Sequence, residues 1–469
     1  MKRKDDSIFL IVISIIYELL VYFLFPKNND FSIMVVSLIS LVPLIILLLM
    51  YKKTRDKRYL FYIIYFLGLL FRTIYIMKTD IYTRQHDVDT IYGKGHLKYI
   101  YTIYKTGKLP TTNEWQLYHP PLWHIIGAIW LKIASLLKVD ILYAYEGIQI
   151  WSLISSALII IIADKICNKI KIDTKGTLLV DLLLAVHPTL IILSGSINND
   201  CLLMLLQALI ILWLIKYYLD ENYKNIIGLA LVTGLAVMTK MNGAIMAIPI
   251  LYVFIKKMIE KSKNNNWGNF YYHISLFLLI SIPIGLWFQF RNLIMFGSIT
   301  IPGPSESLYV GNIPLLKRLF TLNPSTIFQY VDLKNDYNLN LLIIKTSIFG
   351  EFTYKNIKLL SAFIFVTNVY LIAFTLFYII KYMFIKKKNM IINILLITWI
   401  TSMVMMLLFN IKYPYKCSMN FRYIAVCLIP GIIIPCYMIL KGKSSSIKIA
   451  MMLLAMLFII EEIAFIYLI

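Results

Sequence analysis

The chain has 469 residues, 60% of them hydrophobic and only 15% charged, with a formal net charge of +22. Soluble domains carry about 25% charged residues, so a soluble globular fold is excluded. Continuous apolar runs of about 20 residues recur from end to end, the length of a spanning helix, and they lack the alternation of an outer-membrane barrel. The fold class is therefore all-α and polytopic, with no soluble domain large enough to own a core. The basic residues gather in short loops between apolar runs, where they orient spans and meet anionic headgroups, so the charge needs no nucleic-acid partner.

In chain order the expected spans are 8–25, 31–50, 59–77, 145–164, 176–193, 201–219, 226–239, 243–257, 272–290, 358–384, 390–409, 423–440 and 447–468, thirteen in all. The start, "MKRKDDSIFLIVISIIYELLVYFLF", is basic and then apolar, but the run ends in "FPKNND" with no small-residue cleavage site, and it reads as a retained first helix. The expected units are an N-terminal helical pair (1–58), a catalytic module (59–290) that includes a long loop at 78–144, a second long loop (291–357) and C-terminal helices (358–469). With a cytoplasmic N-terminus, "YKKTRDKR" (51–58), "DKICNKIKIDTK" (164–175), "KKMIEKSK" (256–263), "KKK" (386–388) and "KGK" (441–443) fall inside. Both long loops then fall outside, as the positive-inside bias requires.

The segment 121–137, "PLWHIIGAIWLKIASLL", decides this threading, because a span there would turn every later loop to the other side. Leu122, Ile125, Ile126, Ile129, Ile133 and Leu137 recur at helical spacing, and His124 and Lys132 interrupt them. That pattern predicts a helix lying on the outer surface. Residues 96–106, "HLKYIYTIYKT", form a second such helix, with Leu97, Ile100, Tyr101 and Tyr104 as its stripe and Gly107 and Pro110 as its stop.

Isolated polar groups at the membrane surface carry information because they are costly there. The long loop opens with "TRQHDVDTIYGKGH", in which His86, Asp87 and Asp89 precede glycines that let the backbone fold closely over something. Its ordinary alternative is a solvated loop start. Later comes "LYHPPLWH", whose prolines start a helix and whose His119 and His124 are on their own more often interfacial than ligating. Glu114 and His119 are weak candidates for a divalent metal, since their spacing is not diagnostic. Asp200 in "SINND" is placed to cap the following helix. Lys240 in "TKMNG" breaks an apolar stretch, which suits either snorkelling or an anionic headgroup. Arg291 and Arg422 end spans, and the arginine fork suits phosphate. Arg72 is expected to snorkel outward; Glu18, Glu461 and Glu462 have no account at this level. Acids and cations on one face fit a polyprenyl-phosphate-linked substrate. The five cysteines (Cys167, Cys201, Cys417, Cys427, Cys436) form no CxxC pair and imply neither a disulfide framework nor a zinc site.

The ordered blocks "GHLKYI", "GKLP", "YHPPLWH", "SGSINNDCL", "TKMNGAIMAIP", "RNLIMFGS", "SIFGEF" and "FRYIAVCLIPG" resemble the polyprenyl-phosphate-dependent GT-C glycosyltransferases. They are most similar to bacterial proteins of the glycosyltransferase family 39 kind, the protein O-mannosyltransferase and lipid A aminoarabinose transferase group. The resemblance covers roughly 59–440. It implies a GT-C fold with two juxtamembrane helices in the first outer loop. It also implies sugar transfer with inversion from a polyprenyl-phosphate donor to a hydroxyl of an unspecified glycan, lipid or protein, at the outer face of a plasma membrane, as in bacteria. The position of the family's base falls on Asp87, with Asp89 second. Asp200 matches a second acid facing the site, and Lys240, Arg291 and Arg422 match donor-phosphate contacts, with His86, His96 and His119 as further substrate contacts. The family's Pro-Pro block often begins with lysine, where this chain has His119, and the two helices before residue 59 are an addition. A flippase for lipid-linked sugars or another secondary transporter is the competing class. It should show internal repeats and mid-membrane charges, neither of which stands out. A non-catalytic relative that binds the lipid carrier is the third.

Overall fold

The computed structural model describes residues 6–84, 87–89, 93–112, 114, 116–263, 267–299, 309–321, 337–350, 358–386, 388–441, 453, 456–461 and 463–464. The first half is built from α1 (Ser7–Leu24), α2 (Asp30–Thr54), α3 (Arg58–Lys78), α4 (Ile81–Arg84), α5 (His96–Thr106), α6 (Leu122–Leu136), α7 (Ile141–Gly147), α8 (Gln149–Ile170), α9 (Thr174–Ala185) and α10 (Pro188–Ser194). The second half adds α11 (Asp200–Leu219), α12 (Tyr223–Thr239), α13 (Ala247–Lys263), α14 (Phe270–Phe296), α15 (Leu315–Phe320), α16 (Leu339–Phe349), α17 (Lys358–Met383), α18 (Met390–Lys412) and α19 (Leu428–Lys441). Among the described residues the only β pairing is one isolated bridge, Tyr309 to Tyr415.

Ten helical stretches among the described residues are long and apolar enough to cross a membrane, and α9 with α10, bent by 50°, makes an eleventh. Thirteen spans are expected from the sequence, and two differences account for the gap. The run 226–239 forms the 17-residue helix α12, which is one residue shorter than α1 and falls outside that count, although it runs the length of α11 from Asn225 beside Lys216 to Lys240 beside Asp200. It ends because the chain leaves the helix at Lys240 and continues as a 3-10 turn, Met241–Met246. Most of 447–468 lies outside the described residues. The C-terminal stretch Lys416–Ile439 and the stretch Ile141–Ile170 that contains α8 are the most buried, 89% and 83%, and form the middle of the bundle, whereas α2 at 11% is a rim helix.

The added α1 docks through polar contacts between otherwise apolar faces. Ser14 Oγ meets Tyr65 OH at 2.8 Å, and the Thr73 hydroxyl donates to Glu18 Oε1 at 2.6 Å, which explains an acid inside the first span. Arg72 does not snorkel. It is fully buried, and its guanidinium donates to Ser156 Oγ (2.8 Å), Gly68 O (2.7 Å), Ala185 O (2.8 Å) and Leu184 O (3.3 Å). The last two are carbonyls at the end of α9, where the bend leaves no following turn to bond them. Glu461 is buried, and Glu462 lies outside the described residues.

α5 and α6 pack on each other in the first loop, as the stripes suggest. On α6, Ile129, Ile133 and Leu136 remain exposed while Trp123, His124, Gly127, Ala128, Trp130, Leu131 and Ala134 are buried. The exposed part of the apolar stripe thus faces away from the protein, and α6 has only 15 residues. Gly107 closes α5 at φ 68°, a left-handed position that glycine takes without strain.

Candidate active site

The loop that leaves α3 is held at its start. Glu146 accepts from the Ile81 backbone N–H at 3.0 Å through Oε1 and pairs with Lys27 at 2.8 Å through Oε2. Further on, the two glycines of "GKGH" fold the chain back onto residues 87–89. An added Cβ at Gly93 would lie 2.2 Å from Asp89 Oδ2, and one at Gly95 would lie 2.1 Å from Val88 O. The close approach lets the first two N–H groups of α5 find main-chain acceptors: His96 N–H donates to Asp87 O at 3.1 Å and Leu97 N–H to Val88 O at 3.2 Å. The two expected acids then take different roles. The Asp89 carboxylate turns back to accept from Lys94 N–H at 2.9 Å, with its own φ at 51°. Asp87 is buried and points its Oδ2 into a cavity, 3.1 Å from Arg422 Nη1, 3.5 Å from Gln116 Nε2 and 3.6 Å from His96 Nε2.

The other side of the cavity comes from three breaks in the helical pattern. In "SINND" the N-cap is Asn199, and Asp200 is the first residue of α11. The Asp200 N–H is taken by Asn198 Oδ1 at 3.1 Å, and Asn199 Nδ2 donates to Thr239 O at 2.9 Å, so this loop is tied to the end of α12. That tie brings Lys240 to Asp200: Nζ lies 2.5 Å from Oδ1, with the acid 3% and the lysine 8% exposed. Arg422 enters from the turn after "SMN", where Asn420 Oδ1 accepts from its backbone N–H at 3.0 Å. Its Nε is 3.7 Å from Asp200 Oδ2. Asp87, Arg422, Asp200 and Lys240 therefore form a row of alternating charge, drawn from four segments that are far apart in sequence. The Tyr423 ring lies under both cations, 4.9 Å from Lys240 Nζ and 5.4 Å from the Arg422 guanidinium.

Behind Asp87 the rings of His119, His96, His124 and Tyr99 stack in sequence, with centroid spacings of 5.6, 5.2 and 3.9 Å. His96 Nδ1 and His124 Nε2 are 2.9 Å apart, and Tyr99 OH donates to His119 O at 3.1 Å. Burial pushes the His119 imidazole well below the usual histidine range, helped by Lys240, His96 and His124 and opposed by Asp87. Burial does the same to His124, helped by His96 and opposed by the Pro120 backbone. Burial also lowers Lys240; Asp200 opposes that, and Arg422 adds to it.

The cavity measures about 130 Å³. Of the residues expected from sequence, Asp87, His96, His119, Lys240 and Arg422 line it, and Asp200 stands directly behind Lys240 and Arg422. Arg291 does not line it; its guanidinium donates to Pro110 O at 2.6 Å and to Asn292 Oδ1 at 3.1 Å. His86 lies outside the described residues. Glu114 is exposed, and among the described residues no three His, Cys, Asp or Glu side chains converge as metal ligands would. The lining also holds residues that sequence reasoning missed: Gln116, Tyr118, Asn242, Gln289, Asn292 and Tyr423. For α14 a signal existed. At 100° per residue, Phe288, Gln289 and Asn292 share the buried face with Gly285, and Arg291 sits about 110° away.

Residues 118–287 match the family model described as dolichyl-phosphate-mannose-protein mannosyltransferase. The fold matches the crystal structure of ArnT from Cupriavidus metallidurans bound to undecaprenyl phosphate, with a TM-score of 0.50, 12% identity and coverage of 82% of this chain and 61% of that one. The apo oligosaccharyltransferase of Archaeoglobus fulgidus is also similar, with a TM-score of 0.49, 13% identity and coverage of 89% and 56%. The chain thus spans about three-fifths of the length of either. A sequence search of curated proteins gives no match. The chain thus has ten or eleven described helical stretches fit to cross a membrane, a stretch at 118–287 similar to the dolichyl-phosphate-mannose-protein mannosyltransferase family, and a fold like that of ArnT.

Proposed function

We propose that the chain is an integral membrane glycosyltransferase. It moves a sugar from a polyprenyl-phosphate donor to an acceptor hydroxyl, with inversion, and Asp87 is the base. The row Asp87–Arg422–Asp200–Lys240 at one cavity carries this reading. By the threading of the helices, this cavity lies at the end of the bundle opposite the basic loops 51–58 and 256–263. The positive-inside bias makes that end extracytoplasmic, where lipid-phosphate sugars rather than nucleotide sugars are the available donors.

The charges suit the reaction. Each cation in the resting row already faces a carboxylate. When Asp87 takes the proton of the acceptor hydroxyl, its charge disappears, and Arg422 at 3.1 Å loses its strongest partner. In the same step the C1–O bond to the donor phosphate breaks and the phosphate gains charge. The attraction of the guanidinium then turns from Asp87 toward that phosphate, so stabilisation grows along the reaction coordinate and not in the ground state. Lys240 is held by Asp200 within the same cavity and adds a second cation. Attack on the face opposite the phosphate inverts the anomeric centre. The acceptor is a hydroxyl compound whose identity the lining does not specify.

The direct test is Asp87→Asn in purified protein supplied with undecaprenyl-phosphate sugars. Asparagine keeps the shape and an acceptor oxygen for Arg422 but cannot take the proton. General-base loss costs about 10²- to 10⁴-fold in rate. Retained folding and carrier binding with transfer lost supports the assignment, and wild-type transfer removes it.

A further inference from the structure

We propose that His96, oriented by His124, is the second proton acceptor of this site and receives from Asp87 the proton that Asp87 removes from the acceptor hydroxyl. This rests on the transferase reading above and adds a positioning residue that acts through Asp87.

The geometry points to it in three ways. First, His96 is fixed to Asp87 by the fold: its N–H donates to Asp87 O at 3.1 Å, and the glycines of "GKGH" permit that turn. Second, its Nε2 lies 3.6 Å from Oδ2 of the reacting carboxylate, a small adjustment from a hydrogen bond. Third, its Nδ1 is 2.9 Å from His124 Nε2. A neutral imidazole has one N–H and one lone pair. In the tautomer with the hydrogen on His96 Nδ1, His124 accepts it, and the His96 lone pair faces the protonated Asp87 that the reaction forms. The stack of His119 and His124 on either side holds the ring in that plane.

The groups around His96 are Asp87 from the loop, His119 from the turn before α6, His124 from α6, and Arg422 and Lys240 across the cavity. His119 and His124 are poor stores for a proton, since burial holds both in the neutral form. His96 is also the one of the three rings paired with a carboxylate. The step balances without another reagent. The acceptor O–H bond breaks and its oxygen bonds to C1; the C1–O bond to phosphate breaks with its electrons staying on the phosphate. The proton passes from the acceptor to Asp87 Oδ2, then to His96 Nε2, then to water. Its passage restores the Asp87 carboxylate and adds one positive charge to a cavity that has just gained a negative one.

The experiment uses the full chain in detergent micelles with ¹⁵N-labelled histidine. Six histidines give six pairs of ring-nitrogen signals, and the His96 pair is assigned as the one lost in His96→Gln. The expected result is a change in the His96 ring-nitrogen shifts in Asp87→Asn, because the carboxylate that faces Nε2 is removed. In parallel, release of lipid phosphate from undecaprenyl-phosphate glucose, mannose and aminoarabinose is followed against pH. Wild-type kcat should fall on the acid side, where the proton acceptor is already filled. In His96→Gln, kcat should fall about tenfold or more with donor KM unchanged, and the acid-side inflection should vanish. His96 ring-nitrogen shifts unmoved in Asp87→Asn overturn the proposal, as does a His96→Gln variant with wild-type kcat and inflection. If no donor is turned over while those shifts do change, the transferase reading fails and the Asp87–His96 pair stands.

Discussion

Arg422→Lys separates charge from geometry at the centre of the row. The guanidinium reaches Asp87 through Nη1 at 3.1 Å and Asp200 through Nε at 3.7 Å, two atoms of one rigid plane. Lysine keeps the charge but has a single nitrogen, so it cannot hold both carboxylates. Asp200 keeps its 2.5 Å contact with Lys240, and the shorter of the two arginine contacts is the one to Asp87, so the loss falls on Asp87. A hydrogen bond to a charged group is worth about 1.5–3 kcal/mol, which at about 1.4 kcal/mol per decade is roughly a 10- to 150-fold loss in the step that needs Asp87 aligned. The charge available to the donor phosphate is unchanged. Arg422→Lys should therefore lower kcat within that range while carrier binding stays within a few-fold of wild type. Arg422→Gln should lose both. The assay is steady-state release of lipid phosphate, with carrier affinity measured separately by competition with undecaprenyl phosphate. Wild-type kcat in Arg422→Lys, or equal loss of binding in the lysine and glutamine variants, would refute the bridging argument.

Other outcomes follow from the same coordinates. Gly95→Ala puts a Cβ against Val88 O and displaces the loop that carries Asp87. A misplacement of about 1 Å can cost about 10²-fold, so kcat should fall that far with the thermal midpoint nearly unchanged; an active variant would contradict the close approach. Arg72→Met orphans the Leu184 and Ala185 carbonyls at about 1–3 kcal/mol each, and the thermal midpoint followed by size-exclusion chromatography should drop; an unchanged midpoint would contradict the role at the bend. Lys240 loses its proton at lower pH than an ordinary lysine, with burial as the main cause, so donor affinity should weaken as pH rises toward the lysine range. In Lys240→Arg, whose charge persists, that weakening should be absent, and an identical alkaline profile would contradict a charged Lys240 at the donor. On a Cys417→Ser background, cysteines at exposed Lys94 and Lys53 should react with impermeant reagent from opposite sides, and labelling from the same side would overturn the threading.

Much of this architecture was legible because the membrane makes polar residues conspicuous. The stripes of α5 and α6 marked two short helices that pack on each other, and the breaks at Gly107 and Lys240 marked real helix ends. Asp87, Asp200, Lys240 and Arg422 stood out as charges at span ends, and the fold brings all four together. The sequence could not show which partner a charge would choose. Arg72 has the same local signature as a snorkelling residue, yet the bend between α9 and α10 gives it buried carbonyls to hold. Asp89 is as acidic as Asp87, and only the tight turn over Gly93 and Gly95 shows that its carboxylate serves the backbone. The neutral lining was harder still. Gln116 and Asn242 carry no charge and no spacing of their own, and their place depends on how distant helices pack.

The most direct measurement uses purified protein and undecaprenyl-phosphate sugars labelled at the anomeric carbon, with NMR following both products. The account predicts free undecaprenyl phosphate together with a glycoside of opposite anomeric configuration, and neither product from Asp87→Asn. Intact donor that the protein binds, or carries across a vesicle membrane without cleavage, would contradict it.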